Sequence, residues 1–350
     1  MKFLKVICIS ILIMLINACS TDFEINAPRD ETPVIYALID AFIADSENPF
    51  HRPDTQFVKI TRTFLGDGNI LDFAKERDSS EYKQKLRAYL IKDRSTDTLF
   101  LDTLTIFDKK EGQFYGGKST VYFTKEAIAP QTSYELVVEA PNKTARAKTN
   151  TVGEINIDKP KQASSVRLVN GSSAPWTYRD MDVEWTTTKN TKYVEVSLIF
   201  SYYEHYTDNT KEIKEFEYFV GSRQAETDAG NESVSFRWDS ENFFKRLSGI
   251  ETPSNVVKRV PLNISNDIQA FKYKFTIAGN EINTYIDLQN PSTGIVQEKP
   301  IYSNVANGLG IFSSRYLQEL TGYAVHSNTM SAIIHPGGTP YTKDLKFARQ

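Results

Sequence analysis

Cysteine is close to absent. The 350-residue chain holds two, Cys8 and Cys19, too few for a disulfide framework or a cysteine-rich zinc site. Histidine is scarce as well. His51, His205, His326 and His335 are the full set, and none stands at a metal-ligand spacing such as HxxxH or HxH. A net charge of −3 gives no global basic field, which argues against nucleic acid as a partner. No serine sits in a GxSxG elbow, although a triad assembled from distant positions stays open. No internal repeat and no low-complexity segment is visible. The fold must rest on a hydrophobic core, and 350 residues are long for one domain and comfortable for two.

What is present begins with a processing signal. Lys2 and Lys5 form a basic start, and Val6 to Ile16 is an apolar run of eleven residues broken only by Ser10. That run is too short for a membrane-spanning helix and has the length of a secretion leader. Ile16-Asn17-Ala18-Cys19 then places a branched aliphatic at −3, a small residue at −1 and cysteine at +1. This resembles the bacterial lipobox, departing slightly at Ile16 and Asn17. The resemblance implies cleavage after residue 18 and acylation of Cys19. An ordinary signal peptide with an incidental cysteine is the alternative. The count favours lipidation: Cys8 goes with the leader and Cys19 is the one thiol left. The mature chain then has 39 basic against 44 acidic side chains, a net −5. Several acyl chains anchor far more firmly than one. Ser20 rather than Asp after the cysteine favours the outer membrane, on its periplasmic or cell-surface face.

Residues 19–31 are polar and read as a lipidated tether. Aromatics make up 12% of the chain, with 18 Tyr and 21 Phe, and lean towards β-structure. Pro33 to Ile43 is a dense apolar run suited to a buried strand. Gln56 to Phe64 alternates, with Val58 and Ile60 on one face and Phe57 and Lys59 on the other. Further strands follow at Lys85–Lys92, Thr98–Phe107, Gln113–Thr124, Tyr134–Glu139 and Thr144–Thr151. This pattern predicts a β-sandwich of Ig-like type over 32–152. A polar stretch at 153–164 predicts a boundary, and 153–350 reads as a second β-rich, sandwich-like domain with short helices. In it, Lys192–Tyr206 and Glu212–Val220 form a hairpin across Thr207–Thr210. Phe271, Tyr273, Phe275 and Ile277 alternate. Helices are expected after Asp239 or Ser240 and over Glu281–Leu288, and an amphipathic segment around Tyr316–Leu320.

Candidate sites are few. Tyr202, Tyr203, His205 and Tyr206 crowd the end of the long hairpin strand and form a candidate aromatic ligand contact; the alternative is a strand end packing on its neighbour. Gly308-Leu309-Gly310 lacks the third glycine and the βαβ setting of a dinucleotide fingerprint. The acidic turns Gly66–Asn69 and Asp228–Asn231 lack the spaced oxygens of an EF-hand. Asp97-Thr98-Leu99 and Asp102-Thr103-Leu104 resemble the short O-glycosylation sequon of Bacteroidota. No catalytic residue, metal site or cofactor is identified.

Several stretches together carry a wider resemblance. They are the leader with Cys19, Pro33–Asp40, Val58–Asn69, Tyr134–Val138 with Ala147–Thr149, and above all Tyr302-Ser303-Asn304 and Asn307-Gly308-Leu309-Gly310-Ile311-Phe312. This pattern resembles the Bacteroidota lipoprotein family known as domain of unknown function 4249, or a close relative. The resemblance implies an outer-membrane or surface lipoprotein working near a TonB-dependent receptor, and it brings no catalytic residues. The expectation is a non-enzymatic accessory or ligand-binding lipoprotein, with a membrane through its lipid, possible glycan or peptide ligands, and no nucleic acid. A secreted hydrolase with a dispersed site and a structural or adhesive surface subunit are the alternatives.

Overall fold

The structure is a computed structural model. It describes residues 31–42, 55–64, 69–93, 95, 97–107, 112, 115–161, 165–262, 270–289, 302–334 and 337–349. The leader, Cys19, most of the tether, His51, His335 and Gly66–Gly68 lie outside the described residues. The chain is mainly β, as expected, in several sheets with five short helices among the described residues and no barrel.

The first body stacks two sheets. One orders Leu309–Val325, Pro33–Asp40, Gln56–Arg62, Ser119–Thr124 and Asp102–Ile106. The other orders Val305–Ala306, Thr144–Asn150, Ser133–Glu139, Arg87–Lys92 and Thr98–Phe100. Alternation sets which face is buried. In Pro33–Asp40 the inward side chains are Ile35, Ala37 and Ile39, and in Gln56–Arg62 they are Val58 and Ile60. They meet Leu90, Leu136 and Val138 of the second sheet in an aliphatic core. The expected strand Thr98–Phe107 is two strands in different sheets. Leu101, between them, is buried and forces the chain to cross from one layer to the other.

The expected division at 153–164 does not separate two sheets. The strand Leu309–Val325 pairs in parallel with Val34–Asp40 over Leu309–Arg315, then antiparallel with Phe271–Ala278 over Arg315–Tyr323. One ten-stranded sheet therefore runs through both halves. Residues 305–315 belong with the first body although they follow most of the second half in the chain, and Tyr316 packs against both cores. The expected amphipathic segment Tyr316–Leu320 is the middle of this strand, paired with Phe271–Ala278; Tyr316 packs on both cores and Leu320 on the second.

The Asn304–Phe312 motif steers that strand into place. The Asn304 side-chain amide donates to the Phe312 carbonyl at 2.7 Å and accepts from its N–H at 2.9 Å, acting as a strand partner. Asn307 takes a positive φ of 56° at the turn. Gly310 has φ +111°, and a Cβ there would overlap the Ile35 carbonyl oxygen. These glycines serve backbone approach, not phosphate binding.

The second half is built on aromatics. Tyr193–Tyr206 pairs with Lys211–Gln224 along the predicted hairpin, and with Phe271–Ala278 and Val256–Pro261 on its other side. Phe200 stacks on Phe271 with centroids 5.0 Å apart. The three strands Ser233–Asp239, Asp180–Thr186 and Asn156–Lys159 bring Trp185, fully buried, across from them. The helix Glu241–Leu247 fills the gap. Asp239 Oδ1 accepts from the Glu241 N–H at 2.8 Å to start it, and Glu241 and Lys245 pair one turn apart. It buries Phe243, Phe244 and Leu247. Each such side chain contributes about 1.5–3 kcal/mol by leaving water.

Candidate functional site

The aromatic stretch 202–206 does not act as one patch. Strand alternation splits it. Tyr202 faces the core at 4% exposure, against Phe200 and Phe347, and is corrected from ligand contact to packing residue. Glu204, on the same face, meets the buried Arg259. That guanidinium donates from Nε and Nη2 to Glu204 Oε1, from Nη1 to Thr252 Oγ1 and the Leu345 carbonyl, and from Nη2 to the Glu251 carbonyl. All five of its N–H groups are used. The Tyr206 hydroxyl is shared between Glu204 and Glu212 at 3.0 and 3.1 Å. This face clamps the segment around Leu345 and is structural. Tyr203 and His205 lie on the opposite face, with Lys211 Nζ 4.4 Å from the Tyr203 ring centre. Burial and the charges of Lys258 and Lys211 hold His205 below its ordinary value.

A different site is assembled by the tertiary structure. It is a groove of about 650 Å³ lined by Pro175, Trp176, Tyr178, Glu241, Thr339 and Tyr341, with the exposed Lys343 beside them. Three separate elements build it. The first is the small hairpin Val169–Asn170 with Thr177–Tyr178, whose loop carries Pro175 and Trp176. The second is the start of the helix Glu241–Leu247, and the third is the turn-rich segment 337–345. Fully buried hydroxyls tie them together. Ser240 Oγ accepts from the Arg179 N–H and donates to the Leu168 carbonyl. Thr329 Oγ1 accepts from the Leu168 N–H and donates to the Val166 carbonyl. Thr342 Oγ1 donates to the Ala332 carbonyl. The Leu168, Val166 and Ala332 carbonyls also accept from the backbone N–H groups of Arg179, His326 and Thr339, so these hydroxyls add second bonds that hold the segments carrying the groove lining.

The lining combines ring faces with one carboxylate. Tyr178 leans on Phe244 with centroids 5.5 Å apart and on Tyr341 at 6.3 Å, tilted by about 50° in both cases. Trp176 and Tyr341 are half-buried, leaving ring surface open. The Tyr341 hydroxyl donates to Glu241 Oε1 at 2.7 Å, and Lys245 holds Oε2 at 2.8 Å. Those two donors, Lys245 first, hold the Glu241 carboxyl below its usual range, so it stays ionised. Burial, with the Tyr341 phenol beside it, pushes Tyr178 up to about 12. Tyr178 therefore keeps its proton as a donor.

One other cluster brings a nucleophile near a base. Ser119 Oγ lies 2.6 Å from Lys59 Nζ, beside a smaller cavity of about 190 Å³ lined by Glu81 and Tyr82. Lys59 also donates to Glu81 Oε1 and to the Thr120 carbonyl, both at 2.9 Å. Its three N–H groups are committed, so no lone pair is available to take a proton. Ser119 in turn donates to Glu81. Burial works against the Glu81 charge, yet Lys59 and Ser119 hold its carboxyl below the ordinary value, which makes it a poor base. The cluster fills the gap where the strands Gln56–Arg62 and Ser119–Thr124 stop pairing after Val58.

Of the other sequence candidates, Asn69 caps the helix Ile70–Ala74 by accepting from the Leu71 N–H at 3.0 Å. Thr98 and Thr103 sit on the edge strands of their sheets. Among the described residues, no group of three His, Cys, Asp or Glu could hold a metal ion.

No family model and no curated protein matches this chain. The groove was not visible in the sequence because its rings come from positions far apart in the chain. Trp176-Thr177-Tyr178 was the one local signal, and nothing near it names Tyr341 as its partner.

Proposed function

We propose that this chain is a lipid-anchored, non-enzymatic ligand-binding or accessory protein of the outer membrane, acting beside a TonB-dependent transport system. On this reading it is cut before Cys19, acylated there, and held on the 19–31 tether as two sandwich-like bodies of Ig-like type. The lipobox and the resemblance to the Bacteroidota lipoproteins support the location. The observation that carries binding is the groove. Its described lining offers open ring faces and a carboxylate already held on both oxygens, the composition of a recognition site rather than a nucleophile paired with a base. The hydrolase alternative draws little from Ser119, whose neighbouring lysine has its protons fully engaged. The adhesive alternative meets a charged edge: Lys211–Gln224 carries Lys211, Glu212, Lys214, Glu215, Glu217 and Arg223, which discourages strand addition.

Fractionation of cells producing the full chain tests the anchor. Cys19→Ala should move the protein from the membrane pellet to the soluble fraction, and retention in the pellet would overturn the anchored reading. Cross-linking in the native outer membrane tests the partner. Repeated failure to capture a transporter would remove that part of the proposal.

A further inference from the structure

We propose that the groove between Trp176, Tyr341 and Glu241 is a saccharide-binding site, taking a neutral sugar ring against the aromatic faces and its hydroxyls against the Glu241 carboxylate. This rests on the ligand-binding reading above and names the class of ligand.

Three features of the lining point the same way. Trp176, Tyr178 and Tyr341 offer ring faces beside Pro175 and Pro340, a surface that suits the apolar C–H face of a pyranose. Glu241 supplies the polar edge. Tyr341 and Lys245 occupy one acceptor position on each of its oxygens, and a carboxylate has about four, so each oxygen can accept once more. Sugar hydroxyls are donors that meet this need. The segments that carry the lining are tied down by the buried hydroxyls of Ser240, Thr329 and Thr342, so little ordering is lost on binding.

Other ligand classes fit less well. A proline-rich peptide would suit the rings but presents carbonyl oxygens, acceptors facing an acceptor, because proline has no N–H. A lipid chain would bury the Glu241 charge without a donor to replace water. A nucleotide needs cations for its phosphates, and the one cation on the described groove lining is the exposed Lys343, while Lys245 is engaged by Glu241.

Tryptophan fluorescence reads this site directly. Of the three tryptophans, Trp185 and Trp238 are 0% and 7% exposed, so Trp176 alone is open to a ligand or a quencher. The full chain is titrated with neutral hexaoses of glucose, xylose and mannose, and separately with a hexaproline peptide. At least one hexaose should shift the emission and shield Trp176 from iodide. Trp176→Ala should abolish the signal and weaken calorimetric affinity about tenfold or more, the scale of one stacked ring. Glu241→Gln keeps an acceptor for Tyr341 but removes the charge, and should weaken affinity by about tenfold or more. Tyr36→Ala, on the other body, should leave affinity unchanged, and near-UV circular dichroism of each variant confirms an intact fold. Binding of hexaproline alone, no hexaose binding at millimolar concentration, or affinity indifferent to Trp176→Ala would overturn the proposal. The Cys19→Ala fractionation does not involve the groove, so failure of the anchored reading is seen separately.

Discussion

The two halves of this protein solve the same burial problem with different side chains. The first body closes two sheets over Ile35, Ile39, Val58, Ile60, Leu90, Leu136 and Val138. The second closes over Trp185, Phe200, Phe243, Phe244, Phe271, Phe275 and Phe347. Aliphatic side chains suffice where two sheets stack face to face. In the second half larger rings, with a helix that supplies Phe243 and Phe244, fill the interior. The difference shows in the polar atoms. In the first body the Tyr122 hydroxyl accepts from the Leu86 N–H at 2.8 Å and the Tyr134 hydroxyl from the Ala129 N–H at 3.0 Å. In the second, Trp185 Nε1, Trp238 Nε1 and the Tyr323 hydroxyl are buried with no partner among the described residues. In the aliphatic core Tyr122 and Tyr134 each satisfy a loop backbone N–H, while the Tyr82 hydroxyl at its margin is buried with no partner among the described residues. In the aromatic core the rings are there for volume, and their polar atoms are a tolerated cost.

The most severe way to break the comparison is to remove the strand both halves share. Gly310→Ala sets a Cβ against the Ile35 carbonyl at a φ of +111° and should cost several kcal/mol. All three tryptophans lie in the second half. Their fluorescence should nevertheless lose stability together with far-UV circular dichroism in a urea titration. A tryptophan transition left at its wild-type midpoint would show that the halves fold independently.

A smaller change sharpens the contrast between the cores. Tyr122→Phe strands the Leu86 N–H in the interior and should cost about 1–3 kcal/mol. Tyr323→Phe removes a hydroxyl that has no partner among the described residues, and should fall within about 0.5 kcal/mol of wild type or above it. Equal losses for the two in urea titration would contradict the account of buried tyrosines given above.

The smallest effect is a pH dependence confined to the second half. His326 Nδ1 accepts from the Asn328 N–H at 3.1 Å, capping the helix Ser327–Ile333, which requires a neutral ring. Burial, with Arg167 and Arg179 nearby, holds this imidazole below its ordinary 6.5. The unfolded chain therefore takes up a proton first as pH falls. The contribution is complete above about 6.5 and is lost as pH drops through the lower folded value. His326→Asn keeps a cap acceptor and should lessen the fall in melting temperature between pH 7 and pH 5.5, leaving the part that His205 contributes in the same direction. An unchanged slope would assign the dependence to other groups.

Local pattern explains what could be read in advance. Phe271, Tyr273, Phe275 and Ile277 alternate in the sequence and are all buried in one strand face. The hairpin through Thr207–Thr210 follows from its polar turn, where Asn209 takes a positive φ. The misreadings have one origin. Tyr316–Leu320 reads as amphipathic because Tyr316 packs on both cores and Leu320 on the second. Tyr202 looked available because sequence does not say which face of a strand meets solvent. The parallel pairing of Leu309–Arg315 with Val34–Asp40 joins residues from opposite ends of the chain, and no local signal encodes it.

The sequence by itself determined the β-rich character, the alternation that buries each strand face, and the absence of a disulfide framework. All of these follow from residue type and short-range periodicity. It also carries the lipobox reading of Cys19, which awaits its test. Only the tertiary structure decided that one strand welds the two halves together, and that Trp176, Glu241 and Tyr341 share a groove. Those features depend on contacts between distant segments, where the energy of burial is set by which surfaces meet and not by the order in which the residues were joined.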